Sequence, residues 1–123
     1  MGVISDTHGL LRPEALKALE GVDQIIHAGD IGPPEILGEL RTIAPVTAVR
    51  GNMDFGGWTR DLQGTEVVEI GGAAIYVLHD LDQLDLNPGA AGFHAVVFGH
   101  THQPEVKRAD GIEKFFWHIL PSA

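Results

Sequence analysis

Seven side chains of the kinds that bind divalent metal ions follow apolar stretches of the chain. They are carboxylates, imidazoles and one carboxamide, namely Asp6, His8, Asp30, Asn52, His79, His100 and His102. Asp6 and His8 are two residues apart, as are His100 and His102, and in extended backbone such residues point to the same side. The chain has no cysteine, so a metal site would use nitrogen and oxygen ligands, which suit Mn, Fe, Zn, Ni or Mg.

The number of candidate ligands is larger than one metal ion requires. Two ions that share a carboxylate account for it, and Asp30 is the candidate for the shared ligand. Two-metal hydrolases hold their ions about 3.5–4 Å apart and stabilise both the attacking and the leaving oxygen of an in-line displacement. The residue types and their spacing therefore predict a hydrolytic site with two metal ions.

The first half of the chain predicts strands and helices that would position these ligands. Apolar runs predict strands over residues 1–5, 24–27 and 46–49, and amphipathic stretches predict helices after Pro13 and after Pro33-Pro34. This alternation implies a parallel sheet with right-handed crossovers. Ligands of open α/β sheets bind outside the carboxyl ends of the strands, which is where the first four candidate ligands fall.

The second half of the chain predicts a different arrangement. Residues 66–70 and 73–79 predict a hairpin around Gly71-Gly72, and residues 95–98 predict a strand that ends just before His100. Residues 105–108 and 113–116 predict a last hairpin around Asp110-Gly111. We expect one α/β domain over residues 1–123.

Each candidate ligand taken alone has a structural explanation. Asp6 and Asp30 could be N-caps of the helices that follow them, and Asn52 could lie in a turn. The same holds for neighbouring residues: His27 is expected to pack or to make a hydrogen bond, and Asp54 either orients a ligand or closes a turn. The recurrence of candidate ligands after apolar runs favours the metal site.

Composition limits the classes of partner. The formal net charge is -9, with only 8 Lys and Arg residues, which argues against a nucleic-acid partner because such partners bind basic surfaces. No apolar run approaches the roughly 20 residues that span a bilayer, and no signal-peptide pattern is present. We therefore expect a cytoplasmic protein without a membrane partner.

Four motifs in this order are specific enough to suggest a family. They are Val3-Ile4-Ser5-Asp6-Thr7-His8-Gly9, His27-Ala28-Gly29-Asp30, Gly51-Asn52-Met53-Asp54 and Gly99-His100-Thr101-His102-Gln103-Pro104. Together they resemble the calcineurin-like metallophosphoesterase superfamily, and in particular its branch of small phosphodiesterases similar to YfcE. The resemblance implies a four-layer αββα sandwich with mixed sheets and with the metal ions at one edge.

The resemblance also implies a ligand set and a reaction. One ion would be held by Asp6, His8, Asp30 and His102, and the other by Asp30, Asn52, His79 and His100. The implied activity is a metal-dependent phosphodiesterase, commonly activated by manganese, that hydrolyses small phosphate esters with a hydroxide bridging the two ions. Arg50 and Asn52 are candidate substrate contacts, although a surface role for Arg50 is an equal alternative.

Two departures from the family pattern carry expectations of their own. Met53 replaces a histidine that protonates the leaving group in larger relatives, so we expect activated aryl phosphodiesters to be better substrates than alkyl monoesters. Relatives usually have an Asn-Pro-Gly-Ser turn near the C-terminus, followed by further strand residues. Pro121-Ser122-Ala123 matches that turn only in part, so we expect a domain shortened at its C-terminal end. The open sheet edge that results would favour a homo-oligomer.

Two other functions compete with the phosphodiesterase. The fold also resembles a retromer subunit that works as a non-catalytic scaffold for protein partners, but in such scaffolds the metal ligands tend to be replaced. A metal-dependent nuclease would use the same chemistry, although the acidity of the chain argues against it.

Overall fold

The computed structural model describes residues 2–5, 7–11, 13–51, 54, 56–70, 72–80, 84, 92–93, 95–99, 107–108 and 115–118. In chain order, these contain the strands and helices β1 (Gly2–Ile4), α1 (Pro13–Ala18), β2 (Ile25–His27), α2 (Glu35–Arg41), β3 (Val46–Ala48), a 3₁₀ helix (Gly57–Asp61), β4 (Thr65–Ile70), β5 (Ala73–Leu78), β6 (Ala95–Phe98), β7 (Lys107–Arg108) and β8 (Phe115–His118).

The strands form two four-stranded sheets. The first has the order β3-β2-β1-β7, with β1, β2 and β3 parallel to one another and β7 antiparallel to β1. The second has the order β4-β5-β6-β8, in which β4 and β5 are antiparallel and β5, β6 and β8 are parallel. The predicted parallel β1–β3 sheet and the predicted β4–β5 hairpin are therefore confirmed.

The hairpin predicted over residues 105–108 and 113–116 is wrong. β7 pairs with β1 at the edge of the first sheet, whereas β8 pairs with β6 at the edge of the second sheet. The two strands thus belong to different sheets. The turn signal at Asp110-Gly111 is local, and each strand instead pairs with the edge of a larger sheet, where its backbone groups find hydrogen-bond partners.

Each of the two α-helices begins at or just after a proline and has apolar residues on one face. α1 begins at Pro13, whose fixed φ suits the first helical position, and has Glu14 in its first turn and Lys17 in its last turn. α2 follows Pro34 and buries Ile36, Leu37 and Leu40 on one face because these residues recur at helical spacing.

The core has one cluster between the sheets and one on the outer face of each sheet. The cluster between the sheets contains Val3, Ile26, Ala28, Val49, Val68, Ile75, Val77 and Val97. The outer face of the first sheet packs against both helices through Ile4, Ala15, Leu19, Val22, Ile25, Ile31, Ile36, Leu37, Leu40 and Ala44. The outer face of the second sheet contributes Tyr76, Leu78 and Val96, covered in part by Leu84, Phe93 and Phe98.

This layering confirms the mixed α/β fold with two packed sheets that the resemblance implied. Both described α-helices pack on the first sheet, so the helical layer expected over the second sheet stays a prediction. Among the residues that the structure describes, no helix is both long enough and apolar enough to cross a bilayer.

A buried polar network joins the chain after β1 to the chain after β2. The Thr7 hydroxyl donates to the carbonyl oxygen of Ile31 at 2.6 Å and lies 3.1 Å from Nε2 of His27. Since that hydroxyl has one proton, already donated to Ile31, Nε2 of His27 is the donor in the second bond. Nδ1 of His27 then accepts from the backbone N–H of Gly29 at 3.1 Å. The imidazole is therefore satisfied as a neutral ring.

The surroundings of His27 also favour the neutral form. The pKa of His27 is lowered from 6.5 to about 3, chiefly because the ring is buried; nearby His79 and His8 also lower it, and Asp30 opposes them. A buried imidazolium would lose its hydration and would have no acceptor for a proton on Nδ1 where Gly29 donates. His27 thus packs and hydrogen-bonds as a neutral residue, as the sequence predicts.

Packing between the sheets gives a prediction for stability. Val77 is fully buried between the sheets, whereas Val67 on the adjacent strand is 50% exposed. We expect Val77→Ala to lower the free energy of unfolding by about 1.5–3 kcal/mol and Val67→Ala by no more than about 0.5 kcal/mol. Urea denaturation monitored by circular dichroism measures both, and equal losses would contradict the assignment of Val77 to the inter-sheet core.

The pKa of His27 predicts how stability depends on pH. Between pH 6.5 and about 3 the unfolded chain binds a proton that folded His27 excludes. The stability associated with neutral His27 is therefore complete above pH 6.5 and falls as the pH drops, by up to about 1.4 kcal/mol per pH unit. Urea denaturation in chelator should show a shallower pH dependence for His27→Asn than for the wild type, and identical slopes would contradict a neutral buried imidazole.

Candidate metal centre

Two histidines approach one oxygen of the buried Asp30 carboxylate. Nε2 of His79 lies 3.2 Å from Oδ2 of Asp30, and Nε2 of His8 lies 3.8 Å from the same oxygen. Asp30 and His79 are 1% and 4% exposed, whereas the His8 side chain is 34% exposed. Three potential ligand atoms therefore converge at a point that is buried on one side and accessible to solvent on the other.

The hydrogen bond between His79 and the backbone determines which ring nitrogen carries the proton and which one faces Asp30 with a lone pair. Nδ1 of His79 lies 2.7 Å from the carbonyl oxygen of Ala28, and because a carbonyl oxygen only accepts, Nδ1 is the donor. The neutral ring then directs the lone pair of Nε2 towards Oδ2 of Asp30. Two lone pairs at 3.2 Å repel each other unless a proton or a cation stands between them. Metal-binding histidines are commonly oriented in this way, by a backbone carbonyl on the other ring nitrogen, so these residues fit a divalent ion.

Asp30 is held in an unusual backbone conformation. Its φ is +57°, in the left-handed region that is uncommon for residues other than glycine and costs about 1–2 kcal/mol. The carboxylate of Asp54 accepts hydrogen bonds from the backbone N–H of Asp30 at 2.9 Å and of Ile31 at 2.8 Å. Strain of this kind is often found at functional sites, where the surrounding structure maintains it.

Two glycines permit the close packing around Asp30. Gly29 has a φ of +101°, and a Cβ there would lie 2.8 Å from Nδ1 of His79. A Cβ on Gly51 would overlap the backbone and the carboxylate of Asp30. Any side chain at either position would displace the Asp30 carboxylate or the His79 ring, so both glycines are needed for this geometry.

Of the predicted metal ligands, the structure brings His8, Asp30 and His79 together. The other four, Asp6, Asn52, His100 and His102, lie outside the described residues. Within the described ranges, no group of three or more His, Cys, Asp or Glu residues is arranged so that by itself it could hold a metal ion. Gly99 does donate to the carbonyl oxygen of His79 at 2.9 Å, so the described ends of β5 and β6 lie side by side. The metal-binding role of all seven residues stays a prediction.

Two parts of the sequence reasoning need correction. His8 lies in a turn with a φ of +49°, so the extended backbone assumed for the pair with Asp6 is wrong at His8. The chain reverses after β1, and the backbone N–H of His8 donates to the carbonyl oxygen of Asp30 at 3.0 Å. The alternative that Asp30 caps a helix is also wrong, because Pro34 occupies the N-cap position of α2.

Two further candidates, Asp54 and Arg50, lie among the described residues. Asp54 closes a turn with Gly51, which confirms one alternative for it. Its carboxylate also contacts the Asp30 backbone, and the alternative that it orients a metal ligand stays a prediction. Arg50 is exposed, and its backbone N–H donates to Gln63 at 2.8 Å, while its contact with substrate stays a prediction. The sequence reasoning missed Thr7, whose position between two candidate ligands was the available signal.

Sequence comparisons identify relatives across nearly the whole chain. Residues 1–121 match the calcineurin-like phosphoesterase superfamily domain. The chain is 37% identical over 122 residues to a probable metallophosphoesterase of Methanothermobacter thermautotrophicus, covering 89% of this chain and 70% of the relative. It is 38% identical over 117 residues to a probable metallophosphoesterase of Methanocaldococcus jannaschii, covering 85% of this chain but only 59% of the relative.

Solved structures with the same fold include both phosphoesterases and Vps29 proteins. Vps29 from Entamoeba histolytica, solved in complex with Zn²⁺, is 26% identical with a TM-score of 0.68, covering 96% of this chain and 73% of that one. YfcE, a phosphoesterase from E. coli, is 24% identical with a TM-score of 0.61, covering 98% and 78%; at this identity it supports the fold alone. The match of residues 1–121 shows that the chain belongs to the calcineurin-like phosphoesterase superfamily.

Proposed function

We propose that this protein is a metal-dependent phosphodiesterase that hydrolyses small phosphate esters at the site around Asp30. The observation that carries the proposal is the approach of two imidazole nitrogens, from His79 and His8, to the same carboxylate oxygen of Asp30. Membership of the superfamily supports a phosphoesterase, and this arrangement supports a site where that chemistry takes place.

The geometry around Asp30 supports a pair of ions that share its carboxylate. His8 reaches Oδ2 from the turn after β1, and His79 reaches the same oxygen from the end of β5. The two imidazoles therefore belong to different elements, as expected if each serves a different ion. We propose manganese as the activating metal, with Zn, Fe, Ni or Mg as alternatives, because nitrogen and oxygen ligands accept several divalent ions.

The residues of this chain would have distinct tasks at such a site. Divalent ions bound there would supply Lewis acidity and a nucleophile, because they lower the pKa of bound water. His79, held by Ala28, would keep its Nε2 oriented without reorganisation. His8 is accessible to solvent and would lie where substrate enters, and the exposed Arg50 is a candidate contact for a phosphate oxygen. Met53 supplies no imidazole for the leaving group, which favours substrates whose leaving group needs no proton.

A non-catalytic scaffold is the second candidate function. It is favoured by the similarity to Vps29, at 26% identity and a TM-score of 0.68. It is disfavoured by the solvent access of the described site, because the His8 side chain is 34% exposed beside the buried Asp30 carboxylate, and an open position of this kind suits a catalytic ion better than a structural one. A cytoplasmic location and a homo-oligomer stay predictions from the sequence.

The test of the enzyme is hydrolysis of bis-p-nitrophenyl phosphate by chelator-treated protein, with and without added Mn²⁺. We expect turnover only with the metal, and a loss of at least about 100-fold in kcat/KM for Asp30→Ala, because removal of a shared ligand affects both ions. Asp61→Asn is the matched control, since Asp61 is an exposed carboxylate on the 3₁₀ helix and its loss should leave the rate near that of the wild type.

The contrary result would be informative. Protein that is folded by circular dichroism but shows no turnover with Mn, Zn, Fe, Ni or Mg would exclude the phosphodiesterase and favour the scaffold. Turnover that survives unchanged in Asp30→Ala would place the reaction elsewhere in the molecule.

A further inference from the structure

Asp54 is a buried carboxylate whose oxygens accept hydrogen bonds from the backbone around the candidate site. The residue is 6% exposed. Its Oδ2 accepts from the N–H of Asp30 and of Gly51, both at 2.9 Å. Its Oδ1 accepts from the N–H of Ile31 at 2.8 Å, with that of Gly32 at 3.4 Å. A single carboxylate therefore collects three short hydrogen bonds and one longer one.

The hydrogen bonds from the backbone N–H groups of residues 30–32 to Asp54 fix the conformation of Asp30. With a φ of +57° at Asp30 and +95° at Gly32, the N–H groups of residues 30–32 turn towards one side and form a concave anion site of the kind called a nest. The Asp54 carboxylate occupies it. Its negative charge strengthens the bonds, since hydrogen bonds to charged acceptors are roughly twice as strong as neutral ones. This stabilises the left-handed backbone from which the Asp30 side chain reaches His8 and His79.

Two of the hydrogen bonds to Asp54 also link the loop after β2 to the loop after β3. Oδ2 of Asp54 is shared between the N–H of Asp30, after β2, and the N–H of Gly51, after β3. The backbone N–H of Asp54 in turn donates to the carbonyl oxygen of Gly51 at 3.1 Å. Gly51 directly precedes the predicted ligand Asn52. One oxygen atom therefore holds the backbone of Asp30 close to that of Gly51.

We propose that Asp54 is a positioning residue that sets the affinity of the site for divalent ions by holding the Asp30 carboxylate in place, without binding an ion itself. This inference rests on the proposed metal site. An amide at this position would present an NH₂ group to backbone N–H donors in place of one carboxylate oxygen. At least one of the short bonds would then be lost, and the strained Asp30 backbone would relax away from His79.

The test compares metal binding by the wild type, Asp54→Asn and the control Asp61→Asn, all stripped by chelator and shown to be folded by circular dichroism. Isothermal titration calorimetry with Mn²⁺ measures affinity, and the visible absorption of added Co²⁺ reports the coordination geometry. We expect about 10–100-fold weaker Mn²⁺ binding and an altered Co²⁺ spectrum for Asp54→Asn. Asp61→Asn should match the wild type in both measurements.

A purely structural role would give a different result. If Asp54→Asn lost stability but kept the Mn²⁺ affinity and the Co²⁺ spectrum of the wild type, the proposal would be overturned while the metal site stood. If the wild type itself bound neither ion, the proposed metal site would fail together with the inference. Should Asp54→Asn not fold, Asp54→Glu, which keeps the charge but displaces it by one methylene, is measured against the same two criteria.

Discussion

A carboxylate removed from water must be compensated by its surroundings, and the region around Asp30 depends on that constraint. Asp30 is 1% exposed, and a buried carboxylate without compensation is unfavourable by several kcal/mol. His79 and His8 face the carboxylate, and a proton or a cation between their nitrogens and Oδ2 would supply that compensation. Asp54 instead accepts the hydrogen bond of the Asp30 backbone N–H. The chain must therefore bring together segments that are distant in sequence before Asp30 can be buried at all.

The packing of the two sheets makes that assembly possible. Asp30 follows a strand of the first sheet, whereas His79 follows a strand of the second. The distance between them is fixed by the cluster between the sheets, which includes Ala28 and Val77. Ala28 also supplies the carbonyl oxygen that orients the His79 ring. The apolar core and the polar site are thus coupled, because a shift of one sheet against the other would change the hydrogen bond and the approach of His79 to Asp30 at the same time.

The sequence could predict the elements whose signals are local, and much less of what depends on distant pairing. Apolar runs and proline positions were sufficient for β1 to β3, α1 and α2, and for the location of Asp30 and His79 at the ends of strands. The partners of β7 and β8 were predicted wrongly because two sheet edges, formed far away in sequence, outweigh a local turn signal. The left-handed backbone of His8 and Asp30 could not be predicted either. It depends on hydrogen bonds between residues far apart in the sequence, such as those of His8 with Asp30 and of Asp30 with Asp54.

The choice between enzyme and scaffold rests on what the site requires of the protein. Metal binding alone would not separate the two, because a Vps29 has itself been solved with Zn²⁺. The stronger difference lies in access: the His8 side chain is 34% exposed beside a carboxylate that is buried. A purely structural ion is normally enclosed by protein ligands, whereas a catalytic ion keeps a position open for water or substrate. The one-sided exposure of this cluster, maintained at the cost of a strained Asp30 backbone, is the arrangement that hydrolysis needs and that a scaffold could dispense with.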